Sequence, residues 1–339
     1  MDENLEIMRE GRLGVIALNR PRAINALTLG MIRAISETLD AWEHDAGISA
    51  VLFEGRGERG FCAGGDVRAT RELVLAGKVD EANLFFEVEY RMNRRISTYS
   101  KPIVAIQDGI VMGGGIGVSG HARHRIATER SRFAMPEGAI GLFCDVGVNA
   151  LVADRSEAAV LAFYLTGNSV GAADAIALNL SDQYVPSSKL GALRARLEEA
   201  AGAANPDRTL AALIAAHAGS PGSPDFCNNA EVVAEAFEKP TAAEIIAALA
   251  LAGNDFAAEV AATASTRCPT SNEANVLAFR AAQRSGGIDT VLARDLRLAV
   301  YLAARPDFAE GVRAVLVDKD HAPNWQPAVA VADLEALVD

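Results

Sequence analysis

The chain has 339 residues, half of them hydrophobic and 22% charged, which suffices for a full-sized core and matches an ordinary globular protein. A formal net charge of −12 speaks against nucleic acid as the main partner, because binding a phosphate backbone needs clustered Lys and Arg. A small nucleotide-bearing polyanion stays open: Arg20, Arg22, Arg56, Arg59, Arg68 and Arg71 lie near the first turn motifs, as a local basic patch or as solvated loop ends.

The opening MDENLEIMRE is acidic and shows no basic-then-apolar leader pattern, so no targeting segment is expected. No run of about 18 apolar residues is present to span a membrane. A short β-rich run at 14–19 is followed by helical spacing of Leu29, Ile32, Ile35, Leu39 and Trp42, with Thr28 as N-cap. A second β-rich run at 50–54 leads into a polar turn at 55–60 and then FCAGGD, after which helix is expected from Val67. Residues 81–99 read as an amphipathic helix ended by Lys101-Pro102, followed by a strand at 103–106, a glycine turn, and strands at 125–128 and 132–134. From about Ser156 the pattern turns helical and Ala-rich, broken by a loop at 219–224, with a further helix starting at Pro269. The expected organisation is an α/β region over 1–205 and a mostly helical C-terminal region over 206–339 that packs back onto it. Cys62, Cys144, Cys227 and Cys268 are widely spaced, without CxxC or zinc-spaced His, so no metal site is expected and a reducing, cytoplasmic compartment fits.

Two turns carry the chemistry. In FCAGGD a strand runs through glycines into a helix, where backbone N–H groups favour an anion; Ala63 is the expected donor, and Gly64 and Gly65 let a ligand approach the backbone. Residues 115–120 match GxGxxG, but the apolar strand stops at Ile106 with an Asp108-Gly109 turn between, which argues against a dinucleotide fingerprint. The better reading places Gly114 at a helix start, its N–H aimed with that of Ala63 at one developing oxyanion. Glu137 and Asp145 follow, eight residues apart, able to act as nucleophile, base or acid, or else as a helix-entrance charge and an N-cap. Cys62, Cys144, His121 and His124 raise a thiol-nucleophile alternative.

With FCAGGDV and KPIVAIQDGIVMGGGIG on the page, the chain resembles the crotonase (enoyl-CoA hydratase/isomerase) superfamily, which binds acyl-CoA thioesters. The resemblance implies a crotonase-like spiral of β-β-α units with a C-terminal helical region. It also implies an oxyanion hole of Ala63 and Gly114, and CoA contacts from Arg22, Ala23, Ala63, Gly65, Asp66 and Val67. No separate cofactor is implied, CoA being part of the substrate. Relatives of this kind often form trimers or paired trimers, which leaves a homo-oligomer open.

Hydratases of the superfamily use two glutamates, and the first falls here on Gly117, which has no side chain. The combination MGGGIGVSGH, FAMPE and DVG, with Glu89 in the preceding helix, is more similar to the 3-hydroxyisobutyryl-CoA hydrolase branch. So are Pro269-Thr270-Ser271, the run DFAEGVRA and DKDHAPNW near the C-terminus. What this implies is cleavage of a short branched β-hydroxyacyl-CoA, a step of valine catabolism, with Glu137 attacking the thioester or activating water, Asp145 binding the hydroxyl or protonating the thiolate, and Glu89 ordering the pocket. Cys144, Asn149 and Asn272 depart from the branch pattern close to the expected acyl pocket. A hydratase or isomerase of the same fold and a non-catalytic binding protein are the alternatives.

Overall fold

The computed structural model describes residues 2–285 and 287–339. The chain forms two compact units, each assembled from separated stretches: the segments up to Gly65, Arg91–Phe133 and Val170–Ser223 make one, and Asp66–Tyr90, Ala134–Ser169 and Pro224–Asp339 the other.

The first unit is built on nine short strands: β1 (Leu5–Glu10), β2 (Leu13–Leu18), β3 (Ala50–Gly55), β4 (Gly60–Cys62), β5 (Ile103–Gln107), β6 (Ile110–Met112), β7 (His124–Ala127), β8 (Arg132–Ala134, whose last residue begins the other unit) and β9 (Gln183–Tyr184). Six of them form a sheet in the order β1-β2-β3-β5-β7-β9, and β4, β6 and β8 a smaller one. In the large sheet β1 is antiparallel to β2 and the remaining neighbours are parallel. A parallel sheet is covered on both faces, which is why every residue of β2 is buried. Alternate residues Leu13, Val15, Leu52, Val104, Ile106 and Ile126 pack with Leu193, Leu197, Leu210 and Ile214 from the helices that follow β9. Helix α1 (Leu29–Glu43) begins where the sequence places it, the Thr28 hydroxyl accepting the Met31 N–H at 3.2 Å. Strands β1, β6 and β9 were missed by sequence reasoning, β1 for a physical reason: as an edge strand it buries only Leu5, so LEIMRE lacks alternation.

In the second unit α2 (Val67–Leu75) is followed by α3 (Val79–Ser97), and the unit boundary falls inside α3. Ala158 through Thr166 are all buried, so the helix Glu157–Thr166 is apolar all round and central, with Asp225–Val232, Asp255–Ala264 and Pro269–Arg284 packed against it. Among the described residues no helix is long and apolar enough to cross a membrane.

Candidate active site

In the first unit the two glycine turns meet backbone to backbone. A Cβ on Gly115 would lie 2.4 Å from the Cys62 carbonyl oxygen, and one on Gly64 would lie 3.6 Å from the Gly114 nitrogen. At Gly115 only glycine allows this approach, and at Gly64 glycine is favoured by a left-handed φ of +112°. Gly114 is the first residue of α4 (Gly114–Ser119), so its N–H has no acceptor within the helix. The turn Pro21–Ala23 is fixed by Asn25, fully buried, whose Nδ2 donates to the carbonyls of Arg56 (3.0 Å), Gly60 (3.2 Å) and Phe61 (3.0 Å) while its Oδ1 accepts the Arg20 N–H. Asn25 tolerates its left-handed φ of 57° because its short amide bonds the local backbone.

The expectation for Ala63 needs correction. Its N–H donates to the Ile24 carbonyl at 2.9 Å and so is engaged within the fold. One residue on, the Gly64 carbonyl accepts the Leu27 N–H at 2.8 Å. Because a trans peptide holds its C=O and N–H antiparallel, the Gly65 N–H points away from Leu27. Gly65, expected as a CoA contact, is thus the amide in this turn that is free to meet a ligand.

The arginines are mostly structural. Arg56 pairs with Glu54 (2.8 Å) and Glu6 (2.7 Å), and Arg59 donates to the carbonyls of Pro21 and Arg22. Arg71, in the second unit, donates to the Ala309 carbonyl, while Arg22 and Arg68 are exposed. Ala23 closes the Pro21–Ala23 turn, Asp66 precedes α2 and Val67 starts it.

The second unit holds the acids. Glu89, Glu137 and Asp145 are all buried, and the Tyr90 hydroxyl donates to Asp145. Burial, followed by the charge of Asp145, lifts both Glu89 and Glu137 well above the usual carboxylate range. Burial also raises Asp145 to about 6, against the lowering effect of the Tyr90 bond. Neighbouring acids that cannot all ionise divide into one that is charged near neutral pH and others that hold protons. Among the described residues, Glu89 Oε1 and Glu137 Oε2 find no hydrogen-bond partner, which leaves each available to a substrate or water. Asp145 does not act as the N-cap weighed from sequence: Val146 and Gly147 follow with φ of 54° and 74°, and α5 (Val148–Val152) begins only after them. Glu137 does open a helical turn, Glu137–Ile140, so its helix-entrance reading holds alongside the chemical one.

The C-terminal signatures form the cradle of that turn. Cys268, just before Pro269, donates its N–H to the Gly138 carbonyl at 3.0 Å. A Cβ on Gly311 would lie 2.6 Å from Ile140, and one on Gly141 would lie 2.6 Å from Asp307. Trp325 donates to the Thr266 carbonyl at 2.9 Å, and the Gln326 N–H reaches Asp307 Oδ1 at 2.7 Å. The departures from the branch pattern bond internally: the Cys144 N–H to Asn275 Oδ1 (2.7 Å), Asn149 Nδ2 to the Cys144 carbonyl (3.1 Å), Asn272 Nδ2 to the Ala264 carbonyl (2.9 Å). The Cys144 thiol is pushed up by burial and by Glu137, which keeps it protonated and a poor nucleophile. Cys62 sits at hydrogen-bond distance from the Asn25 carbonyl, as a small core residue does.

The enoyl-CoA hydratase/isomerase family model matches residues 13–337. The chain belongs to this family. The 3-hydroxyisobutyryl-CoA hydrolase, mitochondrial, of Danio rerio is 37% identical over 97% of this chain and 86% of its own length; that of Homo sapiens is 35% identical over 96% and 85%. A crystal structure of a carnitinyl-CoA dehydratase from Mycobacterium thermoresistibile matches with a TM-score of 0.92 and 37% identity, covering 100% of this chain and 97% of that one. The crotonase-like fold expected from the glycine motifs is the fold this family member adopts.

Sequence reasoning missed three contributors to the site: Tyr90, Asn275 and Asp295. Asp295 was legible in principle. It sits among Val291, Leu292, Leu298, Ala299 and Leu302, a lone charge on the apolar stripe of the helix Ile288–Ala303.

Proposed function

We propose that this chain hydrolyses a short branched β-hydroxyacyl-CoA thioester, like 3-hydroxyisobutyryl-CoA, to the free acid and CoA. The observation that carries the reading is the buried set of Glu137, Asp145 and Glu89, with Asp145 raised to about 6 and the two glutamates raised well above the usual carboxylate range. In this reading the N–H groups of Gly114 and Gly65 stabilise the oxyanion. Glu137 first passes its proton to the ionised Asp145, and then either attacks the thioester carbon to give an anhydride or takes a proton from the attacking water. Asp145 holds the substrate hydroxyl or returns a proton to the departing thiolate, and Glu89 stays protonated and orders the pocket. Arg22, exposed, and the backbone at Ala23, Ala63, Gly65, Asp66 and Val67 take the CoA portion, which arrives as part of the substrate. A reducing, cytoplasmic compartment suits the four buried cysteine thiols, which form no disulfide among the described residues, and the proposal places the reaction in valine breakdown.

Free-thiol release from 3-hydroxyisobutyryl-, 3-hydroxypropionyl- and crotonyl-CoA tests the reading. Glu137→Gln should lower turnover by about 10²–10⁴-fold while CoA-ester binding survives. Near-normal hydrolysis by that variant removes Glu137 from the chemistry. A single turnover in isotopically heavy water separates the routes: label in the Glu137 carboxylate means the anhydride, label in product alone means direct attack. Crotonyl-CoA belongs in the panel because the similar solved structures bear dehydratase and hydratase names. Against that activity stands Gly117, which places no carboxyl on α4.

A further inference from the structure

We infer that Asp295 is a positioning residue for Asp145, clamping the backbone turn that carries it; this rests on the hydrolase reading, in which Asp145 meets the substrate. The turn needs a clamp. Val146 and Gly147 are consecutive left-handed residues, and for a β-branched side chain that conformation is disfavoured. Asp295 Oδ2 accepts the Gly147 N–H at 2.8 Å, and the residue is 1% exposed. On the other flank Asn275 Oδ1 accepts the Cys144 N–H at 2.7 Å. The Val148 N–H closes the turn on the Asp145 carbonyl at 3.0 Å. The main chain is therefore held on both sides of Asp145 by side chains from two different helices, leaving its carboxyl to accept from Tyr90.

A carboxyl on an apolar stripe adds nothing to packing that Leu would not do better, so its place there is explained by the amide it holds. Burial, then the charge of Asp145, keeps Asp295 well above the usual carboxylate range. The titratable groups within reach of its charge are Asp145, Arg294, Tyr90, Cys144 and Tyr164. A protonated Asp295 that serves through its acceptor oxygen has a close mimic in asparagine, and none in leucine.

The test compares Asp295→Leu with Asp295→Asn in the full chain, by steady-state thiol release from 3-hydroxyisobutyryl-CoA. Leucine should lower kcat by about 100-fold with KM moved by less than about threefold, because the acid shifts while CoA contacts stay. Asparagine should restore kcat to within about fivefold of the parent, since it keeps the acceptor for Gly147. Leucine turning over like the parent overturns the inference, as does asparagine falling as far as leucine, or KM rising in step with the loss. If the leucine variant does not fold, Asp295→Ser is read by the same split, and the asparagine arm stands by itself. Asp145→Asn, measured alongside, separates the two claims: full turnover there sinks the role given to Asp145, whatever Asp295 does.

Discussion

Replacing Asp145 by asparagine should make the protein more stable at alkaline pH while disabling it. The magnitude follows from the carboxyl's environment. Its pKa stands at about 6 in the fold against an ordinary 3.8, a rise of about two units, or roughly 3 kcal/mol at 1.36 kcal/mol per unit. Between those values the unfolded chain has released this proton and the folded chain retains it. Stability from this group is therefore full below about pH 4, falls as pH rises to about 6, and is level above that. Asparagine carries no such burden and still accepts from the Tyr90 hydroxyl. The variant should gain up to about 3 kcal/mol at pH 8, with the gain closing towards pH 4. Urea titrations at pH 4, 6 and 8 are the assay, followed by fluorescence of the two tryptophans, Trp42 and Trp325. A variant no more stable than the parent at pH 8, or a gap of the same size at pH 4, would refute the account of a buried, reluctantly ionised acid.

Gly115→Ala should drive the glycine turns apart, since its methyl would fall 2.4 Å from the Cys62 carbonyl oxygen; turnover should drop about 10²–10³-fold, as for loss of one oxyanion donor, read by thiol release. Asn25→Ala removes an amide bonded to the carbonyls of Arg56, Gly60 and Phe61 and places alanine at a left-handed φ. It should destabilise the fold by about 2–4 kcal/mol, measured as a lowered urea midpoint.

Much of the site could be read from residue order because its parts are local. FCAGGD and MGGGIG are glycine-rich for backbone reasons, and the contacts at Gly64 and Gly115 show the close approach those glycines permit. The choice of donor within the first turn was not legible, because it depends on Ile24 and Leu27 taking the Ala63 N–H and the Gly64 carbonyl from some forty residues away. Tyr90 was missed for a related reason: adjacent helical residues point about 100° apart, so Glu89 did not advertise a neighbour aimed at Asp145. The alternation of the two units along the chain, with a boundary inside α3, leaves no seam in composition to find.

The packing of Gly141 and Gly311 against opposite backbones has a consequence for how this protein can change. With no room for even a methyl group at either contact, the stretch bearing Glu137 and the stretch near Asp307 must shift as one piece, although about 170 positions separate them in the chain. A chimera that borrows its last hundred residues from a relative should fold poorly unless it also borrows the loop around Glu137, so recombination and grafting in this protein are constrained to treat the two as a single module.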